Sequence, residues 1–169
     1  MNAVPADQEE TLLVTRSGYE HLRAEIATLT NEARPGLIDR VREARADGDL
    51  TDNPALYEAL EEQAQLEHRI AELEGRLASA RIVEPNGDGT AGIGNAVRLR
   101  NLGTSEIVEY ELVGGIEANI GNGRVSVEAP VGRALVGTEA GEVVEVQTPR
   151  GTVEFEVIYV SASTARKAA

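Results

Sequence analysis

Two runs of apolar residues at alternating three- and four-residue spacing, joined by a short connection, constrain this 169-residue chain more than any other feature. In the first, Tyr19, Leu22, Ile26, Leu29 and Ala33 fall on one stripe. In the second, Leu56, Ala59, Leu60, Gln63, Leu66, Ile70, Leu73, Leu77 and Ala80 do the same, with charged residues between them. That period is the seam of a coiled coil, so each run is read as a helix. Thr15 suits the N-cap of the first, its hydroxyl accepting from one of the free amides. Pro35 interrupts the stripe, but Leu37, Ile38, Val41 and Ala44 restore it, which predicts a kink or short break with helix resuming to Ala46. The connection Asp47 to Asn53 is so short that the second helix must fold back antiparallel. Residues 1–84 are therefore expected to form a helical hairpin. At 1.5 Å per residue a helix of about thirty residues is roughly 45 Å long, a protruding rod. Periodicity alone equally allows a dimerisation coiled coil.

The stretch Glu84 to Gly94, rich in Gly and turn formers, reads as a linker, placed at 85–94. Beyond it, β-type runs at Ala96–Arg100, Glu106–Val113, Arg124–Glu128, Glu142–Gln147 and Thr152–Val160 predict an antiparallel sheet in a second domain, 95–169. Pro130 to Val136, with Pro at its start and Gly137 just past its end, predicts a short helix covering one sheet face. The expected class is α+β.

Charge and composition narrow the function. The chain carries a formal charge of −13, one Phe and no Trp. Residues 1–84 hold nine Arg against eighteen Asp and Glu. A chain that grips phosphate backbones unaided needs Lys and Arg to release counterions, so a protein partner is expected instead. The absence of Cys excludes a disulfide framework and a thiolate metal site. With no apolar run near the roughly 20 residues that span a bilayer, and no signal-like N-terminus, no membrane partner is expected and a cytoplasmic location is.

Searches for known chemistry leave one informative segment. Gly-Ile-Gly-Asn near residue 92 lacks dinucleotide-loop spacing, and no Gly-Lys-Ser/Thr occurs. His21 and His68 are the only histidines and are read as surface or seam residues. At the bend, Asp47, Asp49 and Asp52 crowd together. Helix capping explains Asn53 before Pro54, and Asp52 at the positive end of the second helix. It leaves Asp47 and Asp49 at the negative end of the first, a placement that suggests an outside cation. A calcium loop would use Asp47, Asp49, Thr51, Asn53 and Glu58, but its sixth position, which needs Gly, is Asp52. A metal held jointly with a partner fits better.

At these residues the chain resembles the GreA/GreB transcript-cleavage factors. The blocks are Thr15-Arg16-Ser17-Gly18-Tyr19-Glu20-His21-Leu22, Arg34-Pro35, the tip Gly48-Asp49-Leu50-Thr51-Asp52-Asn53, then Tyr57, Glu61-Glu62-Gln63 and Arg69-Ile70. In the second half they are Ala129 to Gly137 and Thr148 to Phe155. The resemblance implies a coiled coil that enters the secondary channel of bacterial RNA polymerase and an FKBP-like domain that docks at its entrance, without isomerase activity. It further implies that Asp49 and Asp52, with Asp47 nearby, help hold a Mg²⁺ shared with the polymerase and orient the water that cleaves backtracked RNA at its 3′ end. No cofactor is expected on the factor alone, and a monomer is expected. Pro130, Arg133 and Leu135 are the implied docking residues. Three positions depart from the family pattern: Asp52 stands for its Glu, the Asn53–Tyr57 stretch is one residue longer, and Ala129 replaces a Ser.

Three functions follow. The first is a factor, not itself an enzyme, that stimulates the polymerase's own transcript cleavage. The second keeps the docking but not the chemistry, so that the acidic tip inhibits transcription. The third is a coiled-coil scaffold unrelated to polymerase, which leaves the acidic bend unexplained.

Overall fold

The hairpin forms from three helices: α1, Arg16–Thr28; α2, Arg34–Ala46; and α3, Pro54–Ser79. The computed structural model describes residues 11–46, 53–148 and 151–162. Between α1 and α2 the chain does not break. Leu29–Ala33 make one π-helical stretch, in which the Arg34 amide donates to the Leu29 carbonyl five residues back. Pro35 has no amide to donate, and its ring would press on the carbonyl of Asn31 in a regular helix. Widening the turn just before the proline lets the helix continue, which is the physical form of the expected kink.

Across the hairpin the seams meet as the sequence requires. Leu22, Val41, Leu56, Ala59, Ile70 and Leu73 are buried, and Val41, Leu56 and Ala59 cluster with Ala44 near the bend. Ion pairs flank them: Arg34 forks onto Glu67 at 2.8 and 2.6 Å, Arg40 reaches Glu62, and Arg69 reaches Glu25 at 3.0 Å. Partners climb one arm as they descend the other, the signature of antiparallel helices. Hydrogen bonds to Glu67, Glu62 and Glu25 respectively raise the pKa of Arg34, Arg40 and Arg69 above the ordinary guanidinium value. These pairs lie largely in water, where such attraction is weak.

The second unit carries five strands: β3, Asn95–Asn101; β4, Ile107–Val113; β5, Arg124–Ser126; β6, Val143–Thr148; and β7, Gly151–Ala162. Their order is β5-β4-β3-β7-β6. Three pairings are antiparallel, as expected; β4 with β5 is parallel, so the sheet is mixed. Helix α4, Pro130–Leu135, closes the core through Leu135, which clusters with Val97, Leu99, Leu112, Val125 and Val157. Gly137, at φ +83°, takes the left-handed turn just beyond it.

Two features depart from the sequence reading. Leu12–Val14 (β1) and Ala80–Ile82 (β2) pair as a small parallel ribbon, and both lie with the sheet in one compact unit, while residues 19–79 form the other. The compact units thus divide at 18/19 and 79/80, while the expected sequence boundary lies at 84/85. The segment 85–94, expected as a linker, is also bound down: Ala91 is in the sheet core, and fully buried Asn95 accepts from the Asn86 and Gly92 amides while donating to the carbonyls of Asn86 and Ser161. Four satisfied hydrogen bonds explain why a Gly-rich stretch holds one conformation. Among the described residues no helix is long and apolar enough to cross a membrane.

Candidate functional site

The bend is closed by one side chain. Asn53 caps α3, its Oδ1 accepting from the Leu56 amide at 3.0 Å, with Pro54 at the first helical position where no amide is needed. Its Nδ2 donates across the hairpin to the Ala44 carbonyl at 2.7 Å, satisfying one of the free acceptors at the end of α2. Ala44 and Asn53, on either side of the six-residue segment 47–52, are therefore held side by side.

Asp47, Asp49 and Asp52 belong to that segment and lie outside the described residues. What surrounds them is described. Asp52 immediately precedes the N-cap of α3, the end of the helix that favours negative charge. Arg45 lies in the last turn of α2, and with Arg42, Ile38, Val41 and Gln63 it lines a shallow groove on the side of the hairpin. Tyr57, one turn into α3, is 60% exposed.

The side-chain donors in the segment are all oxygens, three carboxylates and the Thr51 hydroxyl, suited to a hard ion such as Mg²⁺. Its match to a calcium loop fails at Asn53, whose backbone carbonyl, the seventh-position ligand of such a loop, accepts the amides of Leu56 and Tyr57 and so opens α3. Among the described residues there is no group of three or more His, Asp or Glu that could hold a metal. His21 and His68 are exposed.

The docking candidates separate. Pro130 and Arg133 are exposed on α4. Leu135 is fully buried in the sheet core, so its expected role as a contact residue is corrected: it holds α4 in place and offers a partner no surface. Ala129 occupies the N-cap of α4 without a side-chain cap, the hydrogen bond a Ser there would supply.

A second polar constellation, at the start of α1, is absent from the sequence reading. Thr15 caps α1 as expected, its Oγ1 accepting from the Gly18 amide at 3.0 Å. The same residue donates its amide and hydroxyl to the two carboxylate oxygens of Glu117, at 2.7 and 2.6 Å. Glu117 ends a short 3-10 turn, Gly115–Glu117, and its side chain is only 4% exposed. Arg124 Nη2 supplies the countercharge at 2.7 Å, and Arg124 Nε faces Glu111 at 3.4 Å without hydrogen-bond geometry. Two glycines make room. A Cβ at Gly18 would lie 2.0 Å from the Glu117 carboxylate, and one at Gly114 would lie 1.9 Å from the Leu13 carbonyl. The available signal was a capping Thr with Gly, where a self-contained capping box has Glu or Gln.

Comparison with known proteins matches both halves of the chain. Residues 12–82 match the family model described as the N-terminal part of the transcription elongation factors, and residues 85–162 match the GreA/GreB C-terminal model. The transcription elongation factor GreA of Pasteurella multocida is 42% identical over 151 residues, covering 87% of this chain and 95% of that protein. GreA of Methylococcus capsulatus is 41% identical with the same coverage of both. A solved structure of GreA factor homolog 1 from Thermus thermophilus is 30% identical, with 90% of this chain and 99% of that chain covered and a TM-score of 0.42.

Proposed function

Because this chain belongs to the GreA/GreB family of transcription elongation factors, we propose that it binds the secondary channel of bacterial RNA polymerase and stimulates the polymerase's own cleavage of backtracked RNA. The observation that carries the reading is the Asn53 clasp at the bend. It closes a long hairpin on a six-residue segment that holds three carboxylates and little else that ionises. Hydrolysis by two metal ions requires negative ligands around the second ion, and a narrow hairpin can bring them into a centre already crowded by nucleic acid. A Mg²⁺ bound there lowers the pKa of its water and steadies charge on the phosphate. In this reading Asp49 and Asp52 supply ligand oxygens and hold the attacking water, with Asp47 contributing charge nearby. Arg42 and Arg45 offer cations to the RNA backbone beside them, and exposed Pro130 and Arg133 face the docking surface on the polymerase. The factor contributes ligands and orientation, and the bond-breaking remains the polymerase's.

A second reading is favoured by one residue. Asp52 is a methylene shorter than the family's Glu, and a displacement of about 1 Å costs on the order of a hundredfold in rate. A factor that enters the channel but cannot complete the site would slow nucleotide addition. The deciding experiment follows RNA length in a stalled, backtracked complex of the cognate polymerase with Mg²⁺. Shortened transcripts on addition of the protein support the cleavage factor. Binding without shortening, together with slower nucleotide addition, replaces it with the inhibitor.

A further inference from the structure

Strand β6 is an edge of the five-stranded sheet, paired with β7 on one side and with no described strand on the other. Its register with β7 runs without a bulge from Val143 to Thr148. The Val157 amide donates to the Glu142 carbonyl, and antiparallel pairs alternate between bonded and non-bonded. The amides and carbonyls of Val143, Glu145 and Gln147 therefore turn outward. An edge with successive outward donors and acceptors, and no Pro or Lys to blunt it, is open to an added strand. Side chains alternate too: Val144 and Val146 pack toward the core, so Val143, Glu145 and Gln147 stand on the opposite face. Val143 is 56% exposed there.

The charge on this face is uneven. Across β3 and β4, Arg98 bonds Glu109 at 2.9 Å, and across β3 and β7, Arg100 bonds Glu156 at 2.9 Å. Glu145 instead lies directly opposite Glu154, a like-charged pair that weakens a sheet. Both are exposed, and neither carboxylate has an ion pair or hydrogen bond among the described residues. With Thr152 and the loop residues Gly103 and Thr104, they line a groove of about 440 Å³. A lone Glu on an edge strand deters self-pairing, which accounts for Glu145. It does not account for Glu154, which sits on an inner strand.

We propose that the outer edge of β6 binds an extended segment of a protein partner by strand addition, with an Arg or Lys of that segment placed against Glu145 and Glu154. Backbone bonds to Val143, Glu145 and Gln147 supply the pairing. The basic side chain sets the register, because a residue opposite Glu145 projects onto the same face. With strands about 4.8 Å apart, an Arg laid across β6 reaches the groove between the two carboxylates. An apolar residue two places along covers Val143. A second copy of this chain fits poorly: antiparallel pairing through all three positions sets Glu145 opposite its own copy, between chains of formal charge −13 each. The proposal stands apart from the elongation-factor reading, since transcript cleavage can succeed or fail without changing what this edge binds.

The test titrates the isotope-labelled full chain with the peptide acetyl-Thr-Thr-Val-Arg-Val-Val-Thr-amide, followed by nuclear magnetic resonance. Paired antiparallel, its Arg falls opposite Glu145 and a Val opposite Val143. The amide signals of Val143, Glu145 and Gln147 are expected to shift saturably, and their exchange with water to slow. Replacing the peptide Arg by Glu, or Glu145→Lys in the protein, should weaken binding by at least about tenfold, the effect of a like-charge contact. Combining the two changes should restore it. Glu154→Gln, further from the edge, should weaken binding by about two- to threefold. Methylating the peptide's Arg amide nitrogen removes a strand bond and leaves the charge, and binding should be lost. If Glu145→Lys fails to fold, the two peptide changes decide. Equal binding of the methylated peptide overturns the proposal, because attraction is then by charge alone. Absence of a saturable shift at millimolar peptide also overturns it. So does a concentration-dependent shift of the same three amides without peptide, which makes the edge a contact between copies.

Discussion

The hairpin and the sheet unit are stabilised in opposite ways. In the sheet unit, among the described residues, seven buried side chains from four strands, α4 and the 85–94 segment form one cluster, and the polar groups of Asn95 beside it are fully bonded. The hairpin has a thin seam. Among the described residues its buried cluster is Val41, Leu56 and Ala59 with Ala44 packed against it, and much of its cross-arm contact is ion pairing open to water. The difference shows what each part can bear. A hairpin that relies on few buried side chains leaves much of its surface to charge, while the sheet unit is held by a continuous core.

Substitutions sharpen the contrast, beginning where the largest effect is expected. Leu99→Ala, fully buried in the sheet core, should cost about 3–4 kcal/mol in chemical denaturation and lower protection across the whole unit. Leu73→Ala, equally buried but in the two-sided seam, should cost about 2–3 kcal/mol and lower amide protection in the hairpin first. Equal loss of protection in both units would show that they do not open separately. Asn53→Ala removes a cap and the cross-hairpin bond, for about 1 kcal/mol, with faster exchange confined to the first turn of α3. The smallest effect is expected from Glu67→Gln, which breaks the Arg34 fork. Its melting temperature should fall slightly at low salt and match wild type in about 1 M salt, where the Debye length is about 3 Å. A deficit that persists in high salt would mark this pair as structural.

The same contrast governs what the sequence reveals. Helical seams are local, so α2 reaches Ala46, the last described residue before the bend, and α3 begins at Pro54 where capping places it. Alternation likewise locates all five strands of the larger sheet within one or two residues. Pairing is a different matter. Neither the parallel contact of β4 with β5 nor the three-residue ribbon of β1 and β2 leaves a periodic trace. Leu135 matches a docking block by type, but only the packed sheet shows that its side chain faces inward. Glu117 looks like any acidic residue in a Gly-rich turn until the fold brings it to Thr15. For the tip, residue type and connectivity carry the reading, since Asp47, Asp49 and Asp52 lie outside the described residues.

In the proposed function the carboxylate of Asp49 acts in the polymerase active centre. The most direct measurement is the single-turnover cleavage rate of a backtracked complex with saturating Asp49→Ala, alongside its affinity for polymerase. The expected rate is at least about a hundredfold below wild type with affinity little changed, the result of removing a group that acts only in the reaction. Cleavage at the wild-type rate by a bound Asp49→Ala protein would contradict it.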